Sequence, residues 1–347
     1  MRDSHDAGQL ISAAVGSGGL PGVVAMAGRG PETFATWVAG QACAVAGYER
    51  PMTVGTVFDL ASLTKVVATT TVTLALIGAG QLGLDDFATG YLPSAAPVTV
   101  RQLLTHTSGL PASRTFYEWC HSPEELLREL YRTPPEARPG TRVAYSDLGF
   151  MLLGSIASLV AGSSLDSAVR DLVTVPLGMA DTCFNPAGPA VRFAATEVYG
   201  GVPWTGVVHD ENARVLGGVA GHAGLFATAA GLARFAQWWT GPEDGPVPVA
   251  LRQLATTCQT DGPDLGGSGL GGRRGLGWVC PADRYDILGD SWPPTAVSHT
   301  GFTGTSLALD PGSGRWVVLL TNGVHFGRDA TAVKALRRDL HAALAQG

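Results

Sequence analysis

The sequence contains very little lysine. Lysine and arginine together number 23 among the 347 residues, and only Lys65 and Lys334 are lysine. Charged residues make up 15%, aromatic residues 7%, and the formal net charge is −6. Nucleic-acid binding requires a basic face, and no block of like charges indicates a membrane-surface or acidic partner. We therefore expect a compact protein with no nucleic-acid partner.

Cysteine is also scarce. The five cysteines are Cys43, Cys120, Cys183, Cys258 and Cys280. Their odd number and scattered spacing match neither a zinc site nor a disulfide framework, so we expect no metal, no other cofactor and a reducing compartment. Residues 1–6 lack the basic and apolar regions of a secretory signal. The sequence therefore predicts a cytoplasmic protein, or a periplasmic or secreted one if the start is trimmed.

No apolar run reaches the length of a membrane-spanning helix. The best candidate, residues 66–79, is interrupted by a threonine run and is shorter than the ~20 residues that a span needs. We expect no membrane span, and we expect a monomer.

The distribution of apolar runs predicts strands at both ends of the chain and helices between them. Runs at 22–28 and 34–42, separated by Gly30-Pro31, predict one hairpin, and runs at 305–309 and 315–321 predict another. Periodicity and helix-boundary signals predict the helices. These helices lie at 7–17, 62–77, 123–130, 148–161, 165–173 and 224–240. A last helix is predicted from the apolar stripe of Val333, Leu336, Leu340 and Leu344. Its outward face is expected to carry Arg337, Arg338 and Asp339. Residues 241–275 are predicted to form a long loop.

This order predicts an α+β fold, an α/β sandwich with one antiparallel sheet built from both termini. We expect a sheet-containing lobe from residues 1–65 and 270–347. A mainly helical lobe, residues 66–269, is inserted into it, and the active site is expected in the cleft between the two lobes.

The motif Ser62-Leu63-Thr64-Lys65 contains one of the two lysines. If Ser62 begins the helix, Lys65 lies on the same face, one turn away. A buried lysine loses charge stabilisation through desolvation and can act as a base, which arginine cannot. The free N–H groups of the first helical turn can begin an oxyanion hole. The motif therefore predicts a nucleophilic serine with a lysine base.

Two further motifs follow along the chain. Tyr145 lies 83 residues after Ser62, and His299 lies 154 residues after Tyr145. Tyr145-Ser146-Asp147 precedes a predicted helix, where a phenol can carry a proton beside the lysine. Ser298-His299-Thr300-Gly301-Phe302 precedes the second hairpin. There His299 supplies positive character, Thr300 a hydroxyl, and the N–H of Phe302 a second oxyanion donor.

These three motifs, in this order, resemble those of the penicillin-recognising serine enzymes. That superfamily includes class C β-lactamases, penicillin-binding proteins of the DD-carboxypeptidase type and family VIII-type esterases. The likeness extends to blocks at 58–61, 104–111 and 221–226. The resemblance implies that Ser62 attacks an acyl carbonyl while Lys65 and Tyr145 manage its proton. It also implies oxyanion donors at Ser62 and Phe302, and substrate binding by Asp147, His299, Thr300 and Gly301.

Two residues depart from the common pattern of the superfamily. Asp147 stands where many relatives have Asn, and His299 stands where many β-lactamases have Lys. A carboxylate cannot donate as an amide does, and an unperturbed histidine is largely neutral at pH 7. Both changes favour an esterase or a D-amino-acid peptidase, working on a small-molecule or peptide acyl substrate. The alternatives are a β-lactamase or penicillin-binding protein proper, an acyltransferase, and a non-catalytic sensor that binds β-lactams or peptides.

Other candidate residues favour structural roles. His106 and His222 are expected to hold loops. Residues 209–212 suit a loop near the cleft better than a metal or substrate site, because no His-Glu-x-x-His motif accompanies them. Gly267-x-Gly269-x-x-Gly272 formally matches a dinucleotide fingerprint, but no apolar strand precedes it, so we expect a loop.

Overall fold

A six-stranded antiparallel sheet organises the molecule. The computed structural model describes residues 2–243, 245–261 and 271–345. The sheet has the order β3-β2-β1-β11-β10-β9. The strands are β1 Gly22–Arg29, β2 Glu32–Cys43, β3 Arg50–Pro51, β4 Phe58–Asp59, β5 Cys183–Phe184, β6 Val198–Tyr199, β7 Val202–Pro203, β8 Leu225–Ala227, β9 Val297–Thr300, β10 Ser306–Asp310 and β11 Arg315–Thr321.

The pairing of β1 with β11 joins the two ends of the chain in one sheet. Val23 lies opposite Thr321, and Ser306 of β10 lies opposite Leu319 of β11. Strand β11 is buried along its whole length because it is central and covered on both faces. The predicted α+β fold, with a sheet built from both termini, is confirmed.

Helices cover both faces of this sheet. They are α1 Arg2–Gly16, α2 Thr71–Gly78, α3 Val100–Leu104, α4 Pro123–Arg132, α5 Asp147–Ala161, α6 Leu165–Val169, α7 Glu211–Val215, α8 Ala229–Thr240, α9 Val249–Thr256 and α10 Thr331–Ala343. Successive strand residues point to opposite faces. Ala25 and Leu319 therefore pack in the core under α1 and α10, whereas Val24 and Val318 pack in the larger core that includes α8.

Two predicted segments differ from the structure. The stretch 224–240 begins as strand β8, which pairs with β4 and β5, and becomes helical only at Ala229. The stretch 241–275 contains helix α9, whose buried residues are Arg252 and Ala255. Gly267 and Gly269 lie outside the described residues, and the lobe boundaries at 65 and 270 stay a prediction.

Arg337 corrects the predicted outward face of the last helix. Val333, Leu336 and Leu340 are buried as predicted, but Arg337 is also buried, with only 8% of its surface exposed. Position 337 lies four residues after Val333 and three before Leu340, so it falls on the same stripe. Arg338 and Asp339 do face solvent.

By length and composition alone, the helical segment Ala61–Gly78 could cross a membrane. It winds as a 3-10 turn at Ala61–Leu63, a π-helical stretch at Lys65–Thr70 and then α2. In this fold 83% of the segment is buried inside the protein, as expected of a core helix. A second candidate, α5 with the helical stretch 165–174, is bent by 75°.

Candidate active site

Ser62 lies at the start of this core helix, directly after a strained residue. Ala61 has a φ of 46°, in the left-handed region that alanine rarely adopts. The buried carboxylate of Asp59 accepts a hydrogen bond of 2.8 Å from the Ala61 N–H, which holds this conformation. Burial raises the pKa of Asp59. The strained turn leaves Ser62 half-buried at the edge of the helix.

Lys65 is completely buried beside Ser62. Its Nζ donates to Ser62 Oγ and to the carbonyl oxygen of His222, each at 3.0 Å. It also lies 2.7 Å from Asp147 Oδ1 and 4.9 Å from the centre of the Tyr145 ring. The structure therefore brings together five residues that are up to 160 positions apart in the chain, and the sequence motifs predicted all of them except His222 at the site.

The expected lowering of the lysine pKa is wrong for this arrangement. Burial does lower the pKa of Lys65, but the neighbouring Asp147 and Tyr145 outweigh burial and raise it above its usual value. Lys65 is therefore an ammonium ion at neutral pH when the site is empty. Lys65 and Tyr145 can therefore act as a base only after this pair has lost one proton.

Tyr145 is half-buried against Lys65, whose Nζ lies over its ring, and the side chains of Ser62 and Lys65 both act on the pKa of its phenol. Burial raises the pKa of the Tyr145 phenol, with the Asp147 carboxylate adding to the effect. Its position is set by His106, whose ring centre lies 4.6 Å from that of Tyr145. His106 Nδ1 accepts from the Ser146 N–H at 3.0 Å, and its carbonyl accepts from the Ala144 N–H at 2.8 Å.

His106 therefore clamps the segment that carries Tyr145, as the loop-holding interpretation predicted. Burial, together with the positive charges of Arg274 and Lys65, lowers the pKa of His106 well below its usual value. A neutral ring with Nδ1 as acceptor is the form that the Ser146 N–H requires.

His222 holds a second loop at the site. Its Nε2 lies 2.9 Å from Asp210 Oδ1, and its backbone carbonyl binds Lys65. Asp210 also caps α7 by accepting from the Ala213 N–H at 2.8 Å. The His209 N–H donates to Asp59 at 2.6 Å. The 209–212 segment therefore braces the nucleophile turn, and no group of three metal-ligating residues occurs within the described part of the chain.

His299 carries no positive charge, in line with the departure from lysine noted at this position. The side chain is buried, and its Nδ1–H donates to the Thr300 carbonyl at 3.0 Å. Burial and the charges of Lys65 and Arg274 lower the pKa of His299 well below its usual value. His299 is therefore neutral, with Nε2 as a buried acceptor that has no partner among the described residues.

Residues 301–305 form a turn tied to the strand before Ser62. The Thr303 hydroxyl donates to the Asp59 carbonyl at 2.8 Å, and the Thr305 hydroxyl donates to the Leu60 carbonyl at 2.9 Å. The backbone N–H groups of Ser62 and Phe302 have no acceptor among the described residues. The Phe302 side chain is 58% exposed at the rim, stacked on His209.

Two polar contacts of the site were not predicted from single motifs. His222 acts through its backbone carbonyl, and the hydroxyls of Thr303 and Thr305 bind backbone carbonyls, so residue type alone gives little signal for these contacts. The sequence blocks 221–226 and 298–302, which contain or adjoin these residues, were the signal that could have indicated the contacts.

Tyr199 and Trp204 stack on each other at 4.5 Å in the β6–β7 hairpin, with Arg214 against Trp204.

Comparison with known proteins agrees with the sequence motifs. A family model for β-lactamase matches residues 7–342. An Escherichia coli K12 protein named "Putative D-alanyl-D-alanine carboxypeptidase" is 32% identical over 317 residues, covering 80% of this chain and 72% of that protein.

Two solved structures share the fold. EstCE1, described as a hydrolase with promiscuous acyltransferase activity, superposes with a TM-score of 0.77 at 22% identity, covering 97% of this chain and 98% of that one. A class C β-lactamase has a TM-score of 0.77 at 19% identity, covering 98% and 95%.

Proposed function

The chain belongs to the β-lactamase family of serine hydrolases, and from that premise we propose that it cleaves an ester or amide through an acyl-enzyme on Ser62. One observation carries this proposal. A fully buried lysine donates to the serine hydroxyl oxygen at 3.0 Å, in a cluster that also holds the half-buried Tyr145.

Acylation begins when Ser62 Oγ attacks the substrate carbonyl carbon. Because the Lys65 ammonium already donates to Ser62 Oγ, the hydroxyl proton needs another acceptor. The cluster of Lys65 and Tyr145 becomes that acceptor once it has lost one proton, and the pair titrates as a unit. The proton passes to this pair and then to the leaving alcohol or amine as the carbonyl–heteroatom bond breaks.

The negative charge on the substrate oxygen requires donors that are already oriented. The N–H groups of Ser62 and Phe302 would supply them, since neither has another acceptor within the described residues. Water attacking the acyl-enzyme then releases the acid and regenerates Ser62. The same proton-carrying pair would serve this second step.

The substrate class follows from the charges of the site. A buried, neutral His299 adds no positive charge near Thr300, which disfavours a β-lactamase of the kind that has Lys at this position. A cavity of about 430 Å³ adjoins the segment leading into Tyr145, with Leu110 and Val143 beside Arg142 and Arg284 in its wall. We favour a small ester or a D-amino-acid peptide, in line with the name of the E. coli relative.

Covalent labelling tests the mechanism. The protein is incubated with a fluorophosphonate and, separately, with a fluorescent penicillin, and intact and peptide masses locate the adduct. We expect a single adduct on Ser62 with at least one reagent and none with Ser62→Ala. Absence of label with both reagents, or label that persists in Ser62→Ala, contradicts the proposal.

A substrate panel then separates the alternatives. p-Nitrophenyl esters, nitrocefin and a D-Ala-D-Ala peptide are compared at equal enzyme concentration, with and without an added alcohol or amine. Fastest turnover of an ester or the peptide supports the proposed substrate class, and fastest turnover of nitrocefin indicates a β-lactamase. Predominant transfer to the added nucleophile indicates an acyltransferase. A stable acyl-enzyme with every compound indicates a sensor.

A further inference from the structure

Arg337 is a buried cation that contacts no acidic side chain in the described part of the chain. It belongs to the buried stripe of α10, with Val333, Leu336, Leu340 and His341, and only 8% of its surface is exposed. No ion pair to Arg337 occurs among the residues that the structure describes. Burial lowers the pKa of Arg337 to about 10, so the guanidinium is still charged at neutral pH.

Burying an unpaired guanidinium is costly, whereas an apolar residue would fill this stripe without penalty. The cost is offset by two charge-assisted hydrogen bonds. Arg337 Nη2 donates to the Gly301 carbonyl at 2.7 Å and to the Thr305 carbonyl at 2.6 Å. Both acceptors belong to the turn of residues 301–305, which begins at the last residue of the His299-Thr300-Gly301 motif.

The Gly301 carbonyl and the Phe302 N–H are two ends of one peptide group. In a trans peptide the oxygen and the hydrogen point in opposite directions. Holding the oxygen towards Arg337 therefore aims the N–H away from it, and a positive charge at the oxygen strengthens the N–H as a donor. The Gly304 N–H also donates to the Gly301 oxygen, at 3.1 Å.

The same turn is locked to the nucleophile strand. The hydroxyl groups of Thr303 and Thr305 bind the carbonyls of Asp59 and Leu60. A Cβ at Gly301 would collide with Thr305 Oγ1 and the Leu60 carbonyl, so the packing permits only glycine there. Both expected oxyanion donors thus lie on one hydrogen-bonded unit, with Arg337 behind it.

We propose that Arg337 is a positioning residue that orients and polarises the Gly301–Phe302 peptide so that its N–H stabilises the oxyanion. This role rests on the proposed acyl-enzyme at Ser62. Arg337 acts through the backbone and does not touch the substrate.

Arg337→Met and Arg337→Lys test the role, with Arg338→Met as the matched control because Arg338 is exposed on the same helix. A p-nitrophenyl ester with a ¹³C-labelled carbonyl forms the acyl-enzyme. Infrared difference spectra then report the carbonyl stretch, which shifts to higher wavenumber when oxyanion-hole hydrogen bonds weaken. Pre-steady-state bursts give the acylation rate, and thermal denaturation verifies folding.

In Arg337→Met we expect the carbonyl band to rise and acylation to slow about tenfold to a hundredfold, less than the roughly 100- to 1,000-fold cost of losing a donor outright. KM changes little, because the interaction matters in the transition state. The carbonyl band and acylation rate of Arg337→Lys are expected to lie between those of the wild type and Arg337→Met, since one ammonium cannot reproduce the guanidinium fork. Arg338→Met behaves as the wild type.

The outcomes separate the two proposals. If the wild type forms no acyl-enzyme on Ser62, the proposed function fails and this role fails with it. If the wild type is acylated but a folded Arg337 variant keeps the native carbonyl band and rate, only the positioning role is refuted. If Arg337→Met does not fold, the band and rate of Arg337→Lys decide the question in the same way.

Discussion

Replacing Asp147 by asparagine is expected to move the pH dependence of acylation to lower pH. Asp147 Oδ1 lies 2.7 Å from Lys65 Nζ, and the two side chains are 26% and 0% exposed. The carboxylate stabilises the ammonium form, and it also raises the pKa of Tyr145. Asparagine has the same shape without the charge, so both groups lose their proton more readily in the variant.

The size of the shift follows from the distance and the partial exposure. Two unit charges at this separation interact by roughly 6 kcal/mol at an effective dielectric constant of ~20. Solvent at the exposed edge of Asp147 reduces that figure. Opposite charges this close usually change a pKa by about 1–3 units, or about 1.4–4 kcal/mol. We expect the alkaline rise in acylation rate to begin about 1–3 pH units lower in Asp147→Asn.

The assay is the second-order rate of Ser62 labelling by a fluorophosphonate, measured by intact mass across neutral and alkaline pH. This rate reports the ionisation of the free enzyme. Asp85→Asn is the matched control, because Asp85 pairs with Arg101 on the surface with 76% exposure. An unchanged profile, or a shift to higher pH, would refute the argument that Asp147 holds Lys65 in its charged form.

The remaining predictions concern single side chains around the same cluster. Lys65→Arg is expected to abolish Ser62 labelling although the charge is kept, because arginine cannot take part in proton transfer; intact mass measures this. Tyr145→Phe is expected to slow acylation about 10²- to 10⁴-fold, the usual range for a lost proton-transfer group, in a stopped-flow burst assay. Asp210→Asn is expected to lower the free energy of unfolding by roughly 1–2 kcal/mol at neutral pH, since it loses a charged hydrogen bond but keeps the helix cap. His222 holds the pKa of Asp210 below its usual value despite burial. The stabilisation by Asp210 is therefore present above the unfolded-state pKa of about 3.9 and is lost as pH falls below it. Urea unfolding of wild type and variant at several pH values measures the difference.

Controls distinguish these effects from general damage. Circular dichroism and thermal denaturation must show that the Lys65 and Tyr145 variants are folded. An active, folded Lys65→Arg enzyme rules out proton transfer by Lys65, and unimpaired Tyr145→Phe places the proton carrier elsewhere. A destabilisation of Asp210→Asn that stays constant from neutral to acidic pH shows that the charge of Asp210 is not what stabilises this loop.

Much of the fold was predictable because it depends on local patterns. Alternating or continuous apolar runs identified the strands at both termini, and the continuous apolar run of β11 matches its burial along its whole length. The predicted helix 123–130 has proline at its start and acids in its first turn, and α4 extends it by only two residues. Strand β8 was missed because three buried residues that pair with distant strands leave no periodic signal.

The site was predictable to the level of its motifs. Ser62 and Lys65 lie together because three residues make one helical turn, and Tyr145 joins them as the motif order indicated. The electrostatics of the site were not predictable. The pKa of Lys65 depends on a carboxylate 82 positions away, and that of His299 depends on burial and on three cations that are not its sequence neighbours.

The sequence by itself determined the strands at both termini and the main helices between them, the nucleophile with its lysine and the family to which the chain belongs. These follow from spacing within one turn or one strand, where geometry is dictated by the backbone. Only the tertiary structure decided the protonation of Lys65, the neutrality of His299 and the burial of Arg337. Those properties depend on the distance between charges and on exclusion of water, and both exist only after remote segments have packed together.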